Sequence, residues 1–456
     1  MADKVEVKIE NKVGEIEEHV ESKEEKKPEN VEETSADCVE QEEENEFPSE
    51  LKENERKALV AFRAKVEEAI VENKLFAEGV KKEAEQEIKS EQEPEEDGKA
   101  KPEGAVAENN VEEQADIELW GVPLLPSKGD KRTDLVLLKF LRARDLVVKE
   151  AFEMLKKTLK WRKENRIDAI LEEKLDDEFS SVAFQEGKDR EARPVCYNIC
   201  AILANEEILG NEEKREKFLR WRIQLMEKAI RSLDFEPGQT RSSASMIQII
   251  DLKNTPLPSR KDLRIGLRKM VELFQENYPE FVAKKIFINV PFWYYAFSAL
   301  FSPTLSQRTK SKFVYARAAR VTDTLLRFVA AEELPVQYGG LRREDDPDFT
   351  PSDASKEVFV NAGATEVIEI PVEKVESAIT WQVTVIGWEV NYKEEFIPID
   401  DRSYAVIVRR SKKMGLQEMP MRNSFVVKEP GKITITMENG SFKKKRVLYR
   451  YKFSKA

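Results

Sequence analysis

A hydrolase of the Ser-His or Cys-His kind needs an imidazole within reach of its nucleophile. This chain of 456 residues has one histidine, His19, in a Glu-dominated N-terminal segment, so the usual general base is missing from every segment that reads as folded. The three cysteines are Cys38, Cys196 and Cys200. The Cys-x3-Cys spacing of the last two, with no further ligands, falls short of the four that a structural zinc takes. What remains is the chemistry of fixed charge. Arg308, Lys310 and Lys312 follow directly on "INVPFWYYAFSALFSPTL", residues 288–305, the most apolar and aromatic run in the chain. Lys443, Lys444, Lys445 and Arg446 form the densest basic cluster of the folded part.

Charge is unevenly placed. Of 88 Asp/Glu and 76 Lys/Arg, 39 and 17 fall in residues 1–120, a balance of −22, which leaves 49 and 59 in residues 121–456, a balance of +10. An acidic tail thus precedes a mildly basic body, and such a body suits an anionic partner: nucleic acid, phospholipid or an acidic protein. The start "MADKVEVKIE" lacks the apolar stretch of a signal peptide. With so few cysteines, a cytoplasmic chain with reduced thiols is expected.

The elements that must position these charges follow from periodicity. Residues 1–50 are rich in Glu and nearly free of aromatics, a composition that cannot offset the entropy of ordering and reads as disordered. A helical island at 51–75 carries Leu59, Phe62, Val66 and Ile70 at three- and four-residue steps. After an acidic linker, "TDLVLLKFLRARDLVVKEAFEMLKKTLKWRKENRI" reads as two helices with a break near Leu146–Val148. Thr133 is the expected cap of the first, and Phe152, Leu155 and Leu159 form the buried stripe of the second. From about 180, the β-prone runs "PVCYNICAIL", "SMIQIID", "KKIFINV" and "SKFVYA" alternate with helical stretches at 212–233, 260–277, 292–301 and 321–330. That alternation predicts an α/β layer with a largely parallel sheet. Beyond the polar break "RREDDPDFTPSDASKE" the period is two: Ile379, Trp381, Val383 and Val385, then Tyr404, Val406 and Val408, then Val447, Tyr449 and Tyr451. Short alternating strands, with a turn at Asn439–Gly440, predict an antiparallel sandwich.

The apolar run is too interrupted to span a bilayer, which takes about 20 continuous apolar residues. Pro291 and Pro303 bracket only eleven residues, and Pro291 fits the first position of a helix that begins after "KIFINV". Phe292, Trp293, Tyr294, Tyr295, Phe297, Leu300 and Phe301 cover every face of that helix, so it must be enclosed. Pattern leaves two readings open: a helix of the core, or one lining a lipid cavity whose polar-tipped aromatics meet a membrane. The cluster at 443–446 is likewise either solvated hairpin charge that discourages edge pairing or a contact for anionic head groups.

Several of these stretches stand in the order of a known family. "LLKFLRARDLVVKEAFEMLKKTLKWRKEN" resembles the helical N-lobe of CRAL-TRIO lipid-binding proteins. "ENYPEFVAKKIFINVPFWYYAFSALFSPTLSQRTKSKFVYA", closing with "LPVQYGGL", resembles the lobe that encloses their lipid, and "ITWQVTVIGWEVNYKEEFIP…VLYRYKF" is similar to a GOLD β-sandwich. An acidic tail, CRAL-TRIO unit and GOLD domain in that order resemble the plant patellins over roughly 117–454. The resemblance implies a tail at 1–116, a helical N-lobe at 117–178, an α/β lipid-binding lobe at 179–345, a linker at 346–357 and an all-β GOLD sandwich at 358–454. It implies that one phospholipid is held as ligand, with no cofactor, and that a gate closes over its chains at or beside Phe292, Trp293, Tyr295, Phe297, Leu300 and Phe301. Its head-group residues map to Arg144 of "FLRAR", Glu280 of "YPE" and Lys312. A guanidinium offers a planar donor fork to a phosphodiester, Lys312 a point charge, and Glu280 an acceptor for inositol hydroxyls or an orienter of Lys312. Two departures stand out: Asp145, where the yeast phosphatidylinositol transfer prototype has a second basic residue, and Ala192, where relatives often have Gly, a change expected to affect a turn more than the pocket.

The expected function is that of a non-enzymatic carrier or sensor of phosphoinositides and other hydrophobic ligands, without nucleic acid as partner. Membrane contact is expected at Lys443, Lys444, Lys445 and Arg446, with Lys310, Lys412 and Lys413 as an extension of the patch. The resemblance further implies peripheral attachment to the plasma membrane or cell plate, trafficking partners for the GOLD domain, and a part in cell-plate formation during cytokinesis. The alternative is a GOLD-mediated trafficking scaffold whose pocket is structural. From the −22 against +10 split, the tail should compete with anionic lipid for the body. Deleting residues 1–115 is expected to strengthen binding to anionic liposomes at low salt, where screening is weakest; unchanged binding in a sedimentation assay refutes the competition.

Overall fold

The computed structural model describes residues 51–76 and 117–455, except 176, 204–207, 209–210, 236–243, 256–260, 292, 295–306, 374, 388 and 416–419. The segment read as disordered, with His19 and Cys38, lies outside the described residues.

Helix α1 (Glu53–Val71) buries Leu59, Phe62, Val66 and Ile70, the four residues whose spacing marks it in the sequence. That stripe packs on α2 (Lys131–Arg142) and α3 (Val148–Glu164), within one core that also takes in Leu137, Phe140 and Leu155. Two ion pairs close the seam, Arg142 with Glu55 at 3.0 Å and Arg63 with Asp134 at 2.5 Å. The cap of α2 is Asp130, not Thr133. Asp130 has the extended backbone of a cap residue and accepts a hydrogen bond from the Arg132 amide, whereas Thr133 is already helical and donates its hydroxyl to the Pro123 carbonyl at 2.7 Å. Asp145 and Leu146, with φ of 47° and 64°, break the chain between α2 and α3.

Strands β1 (Glu118–Leu119) and β2 (Val122–Pro123) form a small hairpin ahead of α2. The main sheet has the order β3 (Ala183–Lys188), β4 (Pro194–Ile199), β5 (Met246–Asp251), β6 (Val282–Ile288), β7 (Phe313–Tyr315). β4 to β7 run parallel, with α4 (Glu212–Arg231) and α5 (Lys261–Asn277) as crossovers, and β3 is an antiparallel edge. One face of the sheet carries Val195, Tyr197, Ile247, Ile249, Ile286 and Ile288, all buried against Leu325 and Leu326 of α6 (Val321–Phe328). In "LPVQYGGL" both glycines are sterically required: Gly339 has φ of +87°, and a Cβ on Gly340 would stand 2.0 Å from the Leu334 carbonyl oxygen.

The C-terminal part is a sandwich of two antiparallel four-stranded sheets. One has the order β13 (Met421–Val427), β10 (Ser377–Ile386), β15 (Lys445–Lys455), β8 (Lys356–Val360). The other has the order β12 (Val406–Met414), β11 (Val390–Pro398), β14 (Gly431–Glu438), β9 (Thr365–Val372). Ile379, Trp381, Val383, Val385 and Val447 fill its core, as their alternation predicts. Tyr404 does not join them: it is 92% exposed and precedes β12, an edge strand whose Val406 and Ile407 are also exposed. The buried Glu394 accepts from Trp381 Nε1, Tyr392 Oη and Asn423 Nδ2, so its charge is held by three donors.

The polar break between the two halves is a clamp. Arg450 of β15 is 2% exposed and donates to the carbonyls of Leu341 (2.9 Å) and Thr350 (3.2 Å) and to Gln382 Oε1, with its guanidinium over the Phe349 ring. Arg422 holds Asp346 and Asp348, and burial, which works to raise the Asp346 pKa, is outweighed by Arg422 and two backbone amides that bring it down to about 2. Leu448 of β15 packs into the core beneath the α/β sheet.

Ala192, in the turn between β3 and β4, has φ of +65°. A Cβ in the left-handed region costs about 1–2 kcal/mol, partly offset by the greater freedom of an unfolded glycine. Ala192→Gly is therefore expected to stabilise the α/β lobe by about 1 kcal/mol in denaturant unfolding; a lower midpoint denies that the turn is strained.

Candidate functional site

Glu280 stands two residues before β6 and has φ of +53°, a conformation that needs outside support in a residue with a Cβ. Lys139 of α2 supplies it. Its buried ammonium takes the Glu280 carbonyl at 2.9 Å and the Ala244 carbonyl at 2.7 Å, and it stands 4.5 Å from the Phe281 ring centroid. The carboxylate of Glu280 is thereby turned toward the end of the short helix Gln307–Ser311 and the start of β7. Lys312 donates to its Oε2 at 2.6 Å, and Arg308 lies 3.2 Å from the same oxygen. Burial works to raise the Glu280 pKa, but Lys312 and then Arg308 outweigh it and hold the carboxyl below the usual range. The Lys312 carbonyl accepts from the Lys285 amide at 2.8 Å, which fixes this group against the middle of β6.

The sheet face opposite the α6 core is only partly covered by described residues. Gln248, Ile250, Lys285 and Phe313 are half-buried there and Tyr315 is 40% exposed. An aromatic cluster lines its far end, with Phe287 stacked at 5.2 Å on Tyr315 and 5.5 Å from both Phe313 and Tyr294. An apolar wall with cations at one end offers burial to acyl chains and charge to a phosphate.

The structure brings Glu280 and Lys312 together and places Arg144 elsewhere. Arg144 donates to the Ala143 carbonyl at 3.0 Å and lines a groove of about 490 Å³ with Lys149, Lys157, Trp161, Glu276 and Asn277. Of the expected gate residues, Trp293 is half-buried, 5.9 Å from Tyr294; Phe292, Tyr295, Phe297, Leu300 and Phe301 lie outside the described residues. The cluster 443–446 divides. Lys443 and Lys444 are exposed, Lys444 over the Phe359 ring at 3.9 Å, while Arg446 is paired with Glu357 at 2.6 Å. Lys445 is 1% exposed and so is not a surface contact, because it shares the inward parity of Val447 on β15. Beside them Phe442 is fully exposed, at the tip of a turn fixed by Asn439. The Asn439 amide donates to the Val360, Asn361 and Lys443 carbonyls, and its oxygen accepts from Ser441. Phe442 escaped the sequence reading, as did the Arg308 contact; a lone aromatic between a turn and a basic run was the available signal.

Burial pushes the Cys196 and Cys200 thiols up to about 12, so neither is a thiolate nucleophile near neutral pH. Among the described residues no cluster of three His, Cys, Asp or Glu is placed to hold a metal, and no helix is long and apolar enough to cross a membrane.

Three family models match the chain. Residues 178–340 match the CRAL/TRIO domain, residues 80–157 the CRAL/TRIO N-terminal domain and residues 361–445 the patellin-1-like C-terminal GOLD domain. Patellin-4 of Arabidopsis thaliana is 56% identical over 340 residues, covering 74% of this chain and 62% of its own length. Patellin-3 of the same plant is 44% identical over 345 residues, with 74% and 69% covered. The phosphatidylinositol transfer protein SFH5 of Kluyveromyces lactis is 32% identical over 251 residues, with 52% and 79% covered. The chain thus spans less than two thirds of patellin-4.

Proposed function

The chain belongs to the patellin family, and from that premise we propose that it is a lipid carrier or sensor that takes one phospholipid onto the open face of its α/β sheet. The observation that carries this reading is the partly covered apolar and aromatic face with Arg308 and Lys312 gathered on Glu280 at one end. A face that the described residues leave half-bare supports a ligand more than a purely structural pocket, and so weighs against a GOLD scaffold as the main role. The phosphatidylinositol transfer activity in the name of the yeast relative supports inositol lipids as the class of ligand. Glu280 would accept from a sugar hydroxyl while Lys312 and Arg308 meet the phosphate; Arg144, in its separate groove, has no part in this contact. No step of the reading requires catalysis. Peripheral attachment to the plasma membrane or cell plate, from the cytoplasm, with a role in trafficking and cytokinesis, is the setting in which such a carrier would act.

Docking is assigned to the tip of the β14–β15 turn. Phe442 would enter the interface and Lys443 and Lys444 meet anionic head groups, in place of the expected set with Lys445 and Arg446. Burying a phenylalanine ring is worth about 1.5–3 kcal/mol and each lysine at an anionic surface about 1 kcal/mol.

Lys312→Ala is expected to weaken loading of phosphoinositide from vesicles and to leave uptake of uncharged lipid intact; equal loss of both makes the residue structural. Phe442→Ala should weaken sedimentation with anionic vesicles about tenfold while leaving lipid loading from micelles unchanged; full sedimentation places docking elsewhere.

A further inference from the structure

β12 is the outer strand of its sheet, paired with β11 alone. Its ladder is irregular. Between the pairs Phe396–Val406 and Tyr392–Lys412 it advances six residues where β11 advances four, so two extra residues bulge from the edge. Arg410 and Ser411, which have no partner on β11, are both exposed. Four of the eight residues from Val406 to Lys413 are cationic and none is acidic. Arg409 lies 3.5 Å from Glu394 and Lys413 is paired with Glu389, while Arg410 and Lys412 are exposed. The other end of this strip is apolar. Tyr404 and Ile399 are 92% and 71% exposed, and Val406 and Ile407 follow at 45% and 55%. The turn that carries them is held in place: the Ile399 amide donates to the Pro430 carbonyl at 3.0 Å and the Ser403 hydroxyl to Glu429 at 2.7 Å.

Bulges and lysines on an edge strand ordinarily guard it against pairing with another chain. Guarding calls for charge, and it leaves the bare apolar end unexplained. A second copy is a poor occupant, since it would set the same cations against one another. The bilayer is a poor occupant too. β11 and β14 pair from Pro398 with Gly431 to Asn391 with Glu438, which puts the Tyr404 turn at the end of the sandwich away from Phe442, about 24 Å along the strands. A chain docked through Phe442 holds Tyr404 off the membrane. A fixed strip, basic at one end and apolar at the other, matches an acidic peptide with an apolar anchor. We propose that the β12 edge docks an acidic segment of a partner protein, with its carboxylates on Arg410 and Lys412 and an aromatic or aliphatic anchor against Tyr404 and Ile407. Setting the bilayer aside rests on the docking assigned to Phe442; the lipid site of the α/β lobe has no part in this contact.

The full chain is immobilised and panned at low salt against a phage-displayed library of random peptides of about twelve residues, long enough to run the length of β12. Enriched sequences should carry net negative charge and an aromatic or aliphatic residue toward one end, and the most enriched is synthesised with a fluorescent label. In anisotropy, Arg410→Glu with Lys412→Glu should weaken its binding at least about tenfold and flatten the salt dependence. Tyr404→Ser with Ile407→Ser should weaken it about as much and leave the salt dependence in place. Both variants should sediment with anionic vesicles as the wild type does. Loss through one pair alone supports the strip and identifies the end that holds the peptide. No enrichment, enrichment of neutral or basic peptides, or binding indifferent to both pairs overturns the proposal. Loss of vesicle sedimentation in either variant makes the strip a membrane surface, and self-association that Tyr404→Ser with Ile407→Ser abolishes makes it a contact between copies; either overturns the proposal. A carbodiimide cross-link from Lys412 to an acidic residue of 1–50 gives the strip to the chain's own tail and overturns it as well. If the Tyr404 and Ile407 pair does not fold, as read by thermal unfolding, Tyr404→Ser alone is held to the same outcomes.

Discussion

One buried ammonium organises the lobe. Lys139 lies on α2, yet its hydrogen bonds go to the carbonyls of Ala244 and Glu280, the residues that lead into β5 and β6. Two carbonyls at the start of adjacent parallel strands would otherwise turn toward an apolar core, where an unmet acceptor costs about 1–3 kcal/mol. Meeting both with one cation joins the helical lobe to the sheet and lets Glu280 keep a left-handed backbone. The direction of the Glu280 carboxylate, and with it the placement of Lys312 and Arg308, follows from that join. A second tie, in which Arg162 of α3 and Tyr278 both donate to Glu227, holds the same two bodies one layer deeper.

The sheet is asymmetric in a way its strands encode. Alternation sends Ile247, Ile249, Ile286 and Ile288 to the α6 side, where they are sealed, and Gln248, Ile250, Lys285 and Phe287 to the other. Polar and aromatic residues on the second side would be poor filling for a closed core but suit the lipid-facing wall proposed above.

Much of the architecture was legible because it is local. The steps of Leu59, Phe62, Val66 and Ile70 mark α1 without reference to the rest of the chain, and the change from alternating strands and helices to strands alone marks the two folds. Thr133 was misread because capping depends on which residue takes the extended backbone, and Asp130 offers the same chemistry three residues earlier. Lys445 was misread as one of four like charges, although its parity with Val447 held the answer. The separation of Arg144 from Glu280 had no local signal at all. A side chain at the end of α2 goes where the αL residues Asp145 and Leu146 leave it room, and that is settled by how α3 packs.

The clamp around residues 341–350 bears on how this chain can be divided. By sequence the two folds are separate beads with a hydrophilic string between them. In the folded protein β15 carries Leu448 into the neighbouring core and Arg450 onto the Leu341 carbonyl. Pulling the two folds apart would uncover a leucine on one fragment and leave a buried guanidinium short of acceptors, so the β-sandwich is distinct in sequence pattern but not separable without loss.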